Sequence, residues 1–210
     1  MRFRPEMLKL YAVTDRSCLR GRDLESSVEQ AILGGATMVQ LREKASATEQ
    51  LAETASGLLK ICRKYGVPLI INDDWKAALM SGADGVHVGA EDDPVAEIRR
   101  NVPPEMIVGA TAKTVEQARR AEAEGADYLG TGAVFPSPTK SAALRITPAQ
   151  LREICGSVNI PVAAIGGITA ENVSEIKGFG HKGIAVVSAV FGAEDIRAAA
   201  EKMLAAEGEP

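Results

Sequence analysis

The stretch PLIINDDWKAALMSGADGVHVG, residues 68–89, holds the unit from which the whole chain is built. Two short runs, PLIIN from Pro68 and GVHVG from Gly85, flank a segment in which Asp73 or Asp74 can cap a helix beginning at Trp75. Runs this nearly continuous in apolar residues belong to strands covered on both faces, as in a parallel sheet. The same rhythm extends outward in both directions. LKLYAVT from Leu8 and TMVQLR from Thr37 precede the unit, and MIVGAT from Met106, DYLGTG from Asp127, PVAAIGG from Pro161 and GIAVVS from Gly183 follow it. Between them lie helix starts. Ser46 with Glu49, Thr114 with Gln117 and Thr147 with Gln150 have capping-box spacing, and Pro94 and Pro148 fit the first helical position. Leu24, Val28, Ala31 and Ile32 trace one apolar helical face. Eight strands each followed by a helix predict the α/β class and a single (β/α)8 TIM barrel over residues 1–210, with the tail 205–210 expected to fray.

Composition agrees with one barrel-sized core. The chain has 210 residues, of which 46% are hydrophobic and only 4% aromatic, so aliphatic side chains must fill the interior. A net charge of -4 gathers neither nucleic acid nor anionic lipid, and an anionic ligand must be held by a local cluster of cations. No apolar run approaches the ~20 residues of a membrane span, and the start shows no signal peptide, which leads to the expectation of a cytoplasmic protein. Cys18, Cys62 and Cys155 are too scattered for a zinc site and read as free thiols.

In such barrels chemistry sits at the C-terminal ends of the strands. There the sequence places Gln40-Leu41-Arg42-Glu43-Lys44, then Asn72-Asp73-Asp74, then Glu91-Asp92. Arg42 and Lys44, two residues apart at a strand end, can point at one anion such as a diphosphate, or can form a solvated turn with Glu43. Asp73 and Asp92 are hard oxygen donors suited to Mg²⁺, which takes one or two protein carboxylates plus phosphate and water; alternatively they cap the helices that follow. Ser137, Pro138, Thr139 and Lys140 lie in a turn-rich loop after the sixth strand that could close over phosphates. Gly166-Gly167 and Val187-Ser188 end the seventh and eighth strands, where barrels often bind phosphate through backbone N–H groups. His87 points away from Val86 and Val88 and can face the barrel centre, in a structural or a binding role.

Together these motifs resemble the thiamine phosphate synthase family from Tyr11-Ala-Val-Thr-Asp15 to Val186-Val-Ser-Ala189. The segments VQLREK, INDD, GVHVGAED, YLGTGAVFPSPTK, PVAAIGGI and GIAVVSA, in that order, make the likeness specific. The resemblance implies a transferase that joins hydroxymethylpyrimidine diphosphate to a thiazole phosphate. It implies that Gln40, Leu41, Arg42, Glu43, Lys44, Asn72 and Lys140 bind the pyrimidine diphosphate, and that Thr111 contacts the pyrimidine. Asp73 and Asp92 would hold Mg²⁺, while Ser137, Pro138, Thr139, Gly167, Val187 and Ser188 would hold the thiazole phosphate. Arg42, Lys140, Asp73 and Asp92 would carry the catalysis. The sequence departs from the family pattern at Thr111 (commonly serine), Ala90 (glutamine), Ser137 (threonine) and Ala142 (aspartate). A thiazole tautomerase of the related barrel family would need neither clamp nor metal, and a non-catalytic phosphate sensor would not need both metal-ligand aspartates and the clamp. Whether the chain is a monomer or a homo-oligomer stays open.

Overall fold

The computed structural model describes residues 2–44, 46–136 and 145–208. Eight parallel strands close into a barrel in sequence order: β1 Leu10–Val13, β2 Met38–Leu41, β3 Leu69–Asn72, β4 Gly85–Val88, β5 Ile107–Thr111, β6 Tyr128–Gly132, β7 Val162–Ile165 and β8 Gly183–Val186. β8 returns to β1 through the pairing of Tyr11 with Ala185. The helices among the described residues are α1 Arg16–Leu19, α2 Leu24–Leu33, α3 Thr48–Tyr65, α4 Trp75–Ser81, α5 Val95–Asn101, α6 Val115–Ala123, α7 Pro148–Ser157, α8 Ser188–Phe191 and α9 Ile196–Glu207. The expected (β/α)8 barrel is the observed one.

Two apolar layers follow from the period of 2 along each strand. Val39 and Leu41 of β2 face outward, into a core shared with Leu58, Ile71, Val86 and Ile184 beneath the helices. Met38 faces inward and joins Tyr11, Ile70, Ile107 and Tyr128 inside the barrel. A 3-10 turn, Pro5–Leu8, closes the bottom with Met7 and Leu8, and Phe3 stacks on Tyr128 at 5.5 Å between ring centroids. Glycine makes room for the large rings: a Cβ on Gly109 would lie 2.2 Å from a ring carbon of Tyr128, far inside contact distance.

Several local expectations shift. Thr147 and Gln150 form a complete capping box, and Thr114 caps α6 by accepting from the Gln117 N–H. Ser46 does not cap α3: the helix starts at Thr48, with Ala47 in the cap position and no side-chain cap. That end is held from outside, by a Thr48 hydroxyl donating to Asp74 at 2.7 Å. Pro94 stands one residue earlier than expected, as the N-cap of α5, whereas Pro148 begins α7 as expected. The tail orders further than expected, because α9 continues through Glu207. Leu204 and Ala206 pack on the outer core, and Glu207 Oε1 lies 3.2 Å from His181 Nε2.

Candidate active site

A cavity of about 450 Å³ lies within the barrel at the C-terminal ends of the strands. Its wall brings together Gln40, Arg42, Asn72, Thr111, Gly167, Val187 and Ser188, seven positions that the sequence singles out. Register explains the grouping. Val13 pairs with Gln40, Asn72 with His87, and Thr111 with Gly130, so inward-facing residues near the strand ends form a ring.

β2 ends at Leu41, so the strand alternation that would aim Arg42 and Lys44 alike does not reach them. Arg42 lines the cavity, held by Asp15 at 2.9 Å, and its backbone N–H donates to the Thr14 hydroxyl. Burial opposes ionisation of Asp15, but hydrogen bonds from Ser17 and the charge of Arg42 hold its carboxyl below the usual carboxylate range. Glu43 is turned aside into a 2.7 Å ion pair with Arg16, and Lys44 is exposed and outside the cavity wall. Leu41 is fully buried beneath the helices, so its side chain does not reach the cavity.

The capping alternative for the two aspartates resolves in a definite way. Asp74, not Asp73, caps α4, accepting from the Ala77 N–H at 2.8 Å. Asp73 adopts a left-handed backbone, φ 64°, with its N–H donating to the His87 carbonyl at 2.8 Å. A non-glycine residue held there is strained, and such strain concentrates at functional positions. Asp92 is exposed and folds back to accept from the Gly89 N–H at 2.7 Å, while α5 has no side-chain cap. The two loops are tied together where Trp75 Nε1 donates to Asp93 at 2.8 Å. Asp92 lines a second cavity of about 240 Å³ that shares Thr111 with the first, whereas Asp73 lines neither. Among the described residues no cluster of three or more His, Cys, Asp or Glu could hold a metal by itself. Two carboxylates on tethered adjacent loops do suit Mg²⁺, whose remaining positions go to phosphate and water.

On the opposite side, Gly167 has φ 64°, and a Cβ there would lie 2.2 Å from the Pro136 carbonyl oxygen. The β7 end therefore packs against the Phe135-Pro136 backbone, which immediately precedes Ser137 in the chain. Ser137, Pro138, Thr139, Lys140 and Ala142 lie outside the described residues. Val187 caps and Ser188 begins α8; the Val190 and Phe191 N–H groups both donate to the Val187 carbonyl, so the Ser188 and Ala189 N–H groups are the ones outside the helix's own ladder. Sequence reasoning missed how this helix is fixed. The Arg22 guanidinium donates to the carbonyls of Phe191 and Ala193, both at 2.6 Å, a long-range contact with no local motif to announce it. Also missed as a site residue was Lys113, half-buried in the cavity wall and without an ion pair to any described residue.

A closed barrel whose cavity at the C-terminal strand ends is lined by Arg42, Lys113 and the Gly166-Gly167 rim defines the class of a (β/α)8 barrel with a polar site at its mouth. Residues 10–190 match the family described as thiamine monophosphate synthase, and the chain belongs to that family. It is 45% identical over 194 residues to the thiamine-phosphate synthase of Clostridium tetani, covering 92% of this chain and 93% of that one. The thiamine-phosphate synthase of Pyrococcus horikoshii is 46% identical over 196 residues, 93% of each chain. The solved thiamine phosphate pyrophosphorylase of Pyrococcus furiosus superposes with a TM-score of 0.89 at 41% identity, covering 97% of this chain and 96% of that chain. A 3-hexulose-6-phosphate synthase with a TM-score of 0.65 and 17% identity, covering 94% of this chain and 99% of that one, shares the fold alone.

Proposed function

We propose that this chain is a Mg²⁺-dependent thiamine phosphate synthase, coupling hydroxymethylpyrimidine diphosphate with hydroxyethylthiazole phosphate, or its carboxylated form, to give thiamine phosphate and diphosphate. The observation that carries the reading is the gathering of Gln40, Arg42, Asn72, Thr111, Gly167, Val187 and Ser188 around one cavity in a chain of this family. Gln40, Asn72 and Thr111 stand on the β2–β5 side and bind the pyrimidine; Gly167, Val187 and Ser188 stand just beyond the ends of β7 and β8 and hold the thiazole phosphate.

The reaction is a substitution at the pyrimidine methylene. The bond from that carbon to the diphosphate oxygen breaks with its electron pair leaving on the diphosphate, and the thiazole nitrogen lone pair forms the new bond. An electron-rich aminopyrimidine stabilises the positive charge left on the methylene, so no protein nucleophile is needed. Arg42, pre-oriented by Asp15, and Lys140 offset the charge growing on the leaving group. Asp73 and Asp92 are the residues that would hold Mg²⁺, which when bound adds further positive charge at the diphosphate. Holding the thiazole by its remote phosphate converts binding into alignment of the attacking nitrogen.

Incubation of the purified chain with both substrates and Mg²⁺ tests this reading. Equal amounts of thiamine phosphate and diphosphate, lost when Mg²⁺ is chelated, are expected. Isomerisation of the thiazole alone, or binding without turnover, would overturn it.

A further inference from the structure

At the cavity floor five side chains form one hydrogen-bonded chain across the barrel. Gln40 Nε2 donates to the Tyr11 hydroxyl at 2.5 Å, the Tyr11 and Tyr128 hydroxyls are 2.8 Å apart, Tyr128 lies 3.1 Å from His87 Nδ1, and His87 Nε2 lies 3.0 Å from the Thr111 hydroxyl. Gln40, Tyr11, His87 and Thr111 line the cavity, whereas Tyr128, the middle link, is fully buried and does not. Burial raises the pKa of both tyrosines above the ordinary phenol value, so both keep their protons.

The order of donors is not free. An amide nitrogen can only donate, so Tyr11 accepts from Gln40. If Tyr11 also accepted from Tyr128, its own buried proton would have no acceptor among the described contacts, an arrangement that costs the full desolvation of that group. Tyr11 therefore donates to Tyr128, Tyr128 donates to His87 Nδ1, and the imidazole carries its proton on Nε2 and donates to Thr111. At the ends, the Gln40 carbonyl oxygen remains an acceptor and the Thr111 hydroxyl proton remains a donor, both on the cavity side.

We infer that this chain fixes the hydrogen-bond polarity of the pyrimidine subsite, with Tyr128 and His87 as positioning residues that act through Thr111. The inference rests on the synthase reading and adds a specificity to it. An aminopyrimidine offers an amino donor and ring-nitrogen acceptors, which complement an acceptor at Gln40 and a donor at Thr111. A pyrimidine with an oxo group and a ring N–H in their place reverses both partners and is disfavoured.

Tyr128→Phe cuts the chain at its middle and leaves the ring that stacks on Phe3 in place. It is tested in a double-mutant cycle with Thr111→Val, reading the dissociation constant of pyrimidine diphosphate by calorimetry in Mg²⁺. Each single variant should weaken binding about fivefold to tenfold, the worth of one hydrogen bond. The double variant should bind no more weakly than Thr111→Val alone, and the KM for thiazole phosphate should stay unchanged. Effects that multiply in the double variant would overturn the inference. Nitrogen-15 spectra of histidine-labelled wild-type protein give an independent test with no variant to fold. The chain has 2 histidines, so His181→Gln assigns the signals. His87 is expected as the Nε2–H tautomer, and an Nδ1–H tautomer would overturn the polarity. Wild-type protein that makes thiamine phosphate while either test fails removes the polarity and leaves the synthase reading standing; wild-type protein that makes none removes that reading.

Discussion

At the cavity floor, Gln40, Tyr11, Tyr128, His87 and Thr111 satisfy one another and need no ligand to fix their geometry. At the β7–β8 rim, Gly167 and Ser188 present backbone held by neighbours on other elements: Pro136 lies against Gly167, and Arg22 grips the far end of α8. The difference teaches how one barrel can treat two substrates unlike. A floor of mutually oriented side chains reads the donors and acceptors of a ring. On the proposed reading, a rim of backbone N–H groups would hold the thiazole by its phosphate alone.

The largest expected effect comes from a residue outside the described ones. Lys140→Ala should slow the chemical step about 100-fold to 1000-fold, the usual loss of a preorganised contact to developing charge. Single-turnover rates at saturating substrate read it, and a change in apparent affinity alone would make Lys140 a tether. Asp73→Asn and Asp92→Asn should each lower turnover by at least about 10-fold to 100-fold, a loss typical even of a metal's outer-shell partners. Excess Mg²⁺ should restore part of it. Normal turnover of either variant across a Mg²⁺ titration would remove that residue from the ligand set.

Smaller effects sharpen the contrast of floor and rim. Ser188→Asp places a carboxylate in the first turn of α8, where the helix tolerates it but a phosphate does not. The KM for thiazole phosphate should rise by at least about 10-fold, since like charges a few ångströms apart near a protein surface repel by more than the ~1.4 kcal/mol that this requires. Gly167→Ala is a test of stability first. Its φ of 64° and the Pro136 carbonyl 2.2 Å from the added carbon predict a loss of about 1–3 kcal/mol, read from thermal melts.

The barrel was legible in the sequence because each strand is a short apolar run and most gaps carry a helix start; the gap between β7 and β8 holds only a 3-10 turn, Val173–Ile176. The strands expected from Leu8 to Gly183 all stand within the runs quoted for them. Gln40 and Asn72 were legible as site residues because they stand near strand ends on the inward parity, whereas Thr111 was named only through the family resemblance. Arg42 and Lys44 parted company because β2 stops at Leu41, and the period of 2 has no force in a turn. The buried chain was harder to see. His87 was recognisable as inward-facing, but its partners Tyr128 and Thr111 stand 41 and 24 residues away, and only barrel closure brings them together. The same holds for Asp15 with Arg42, whose 27-residue separation leaves no local signature.

The most direct test of the division between floor and rim is one set of steady-state KM values for both substrates in Tyr128→Phe and Ser188→Asp, with folding verified by thermal melt. Tyr128→Phe should raise only the KM for pyrimidine diphosphate, and Ser188→Asp only the KM for thiazole phosphate. If each variant weakened both substrates alike, the two regions would be one undivided site, and the assignment of ring to floor and phosphate to rim would be contradicted.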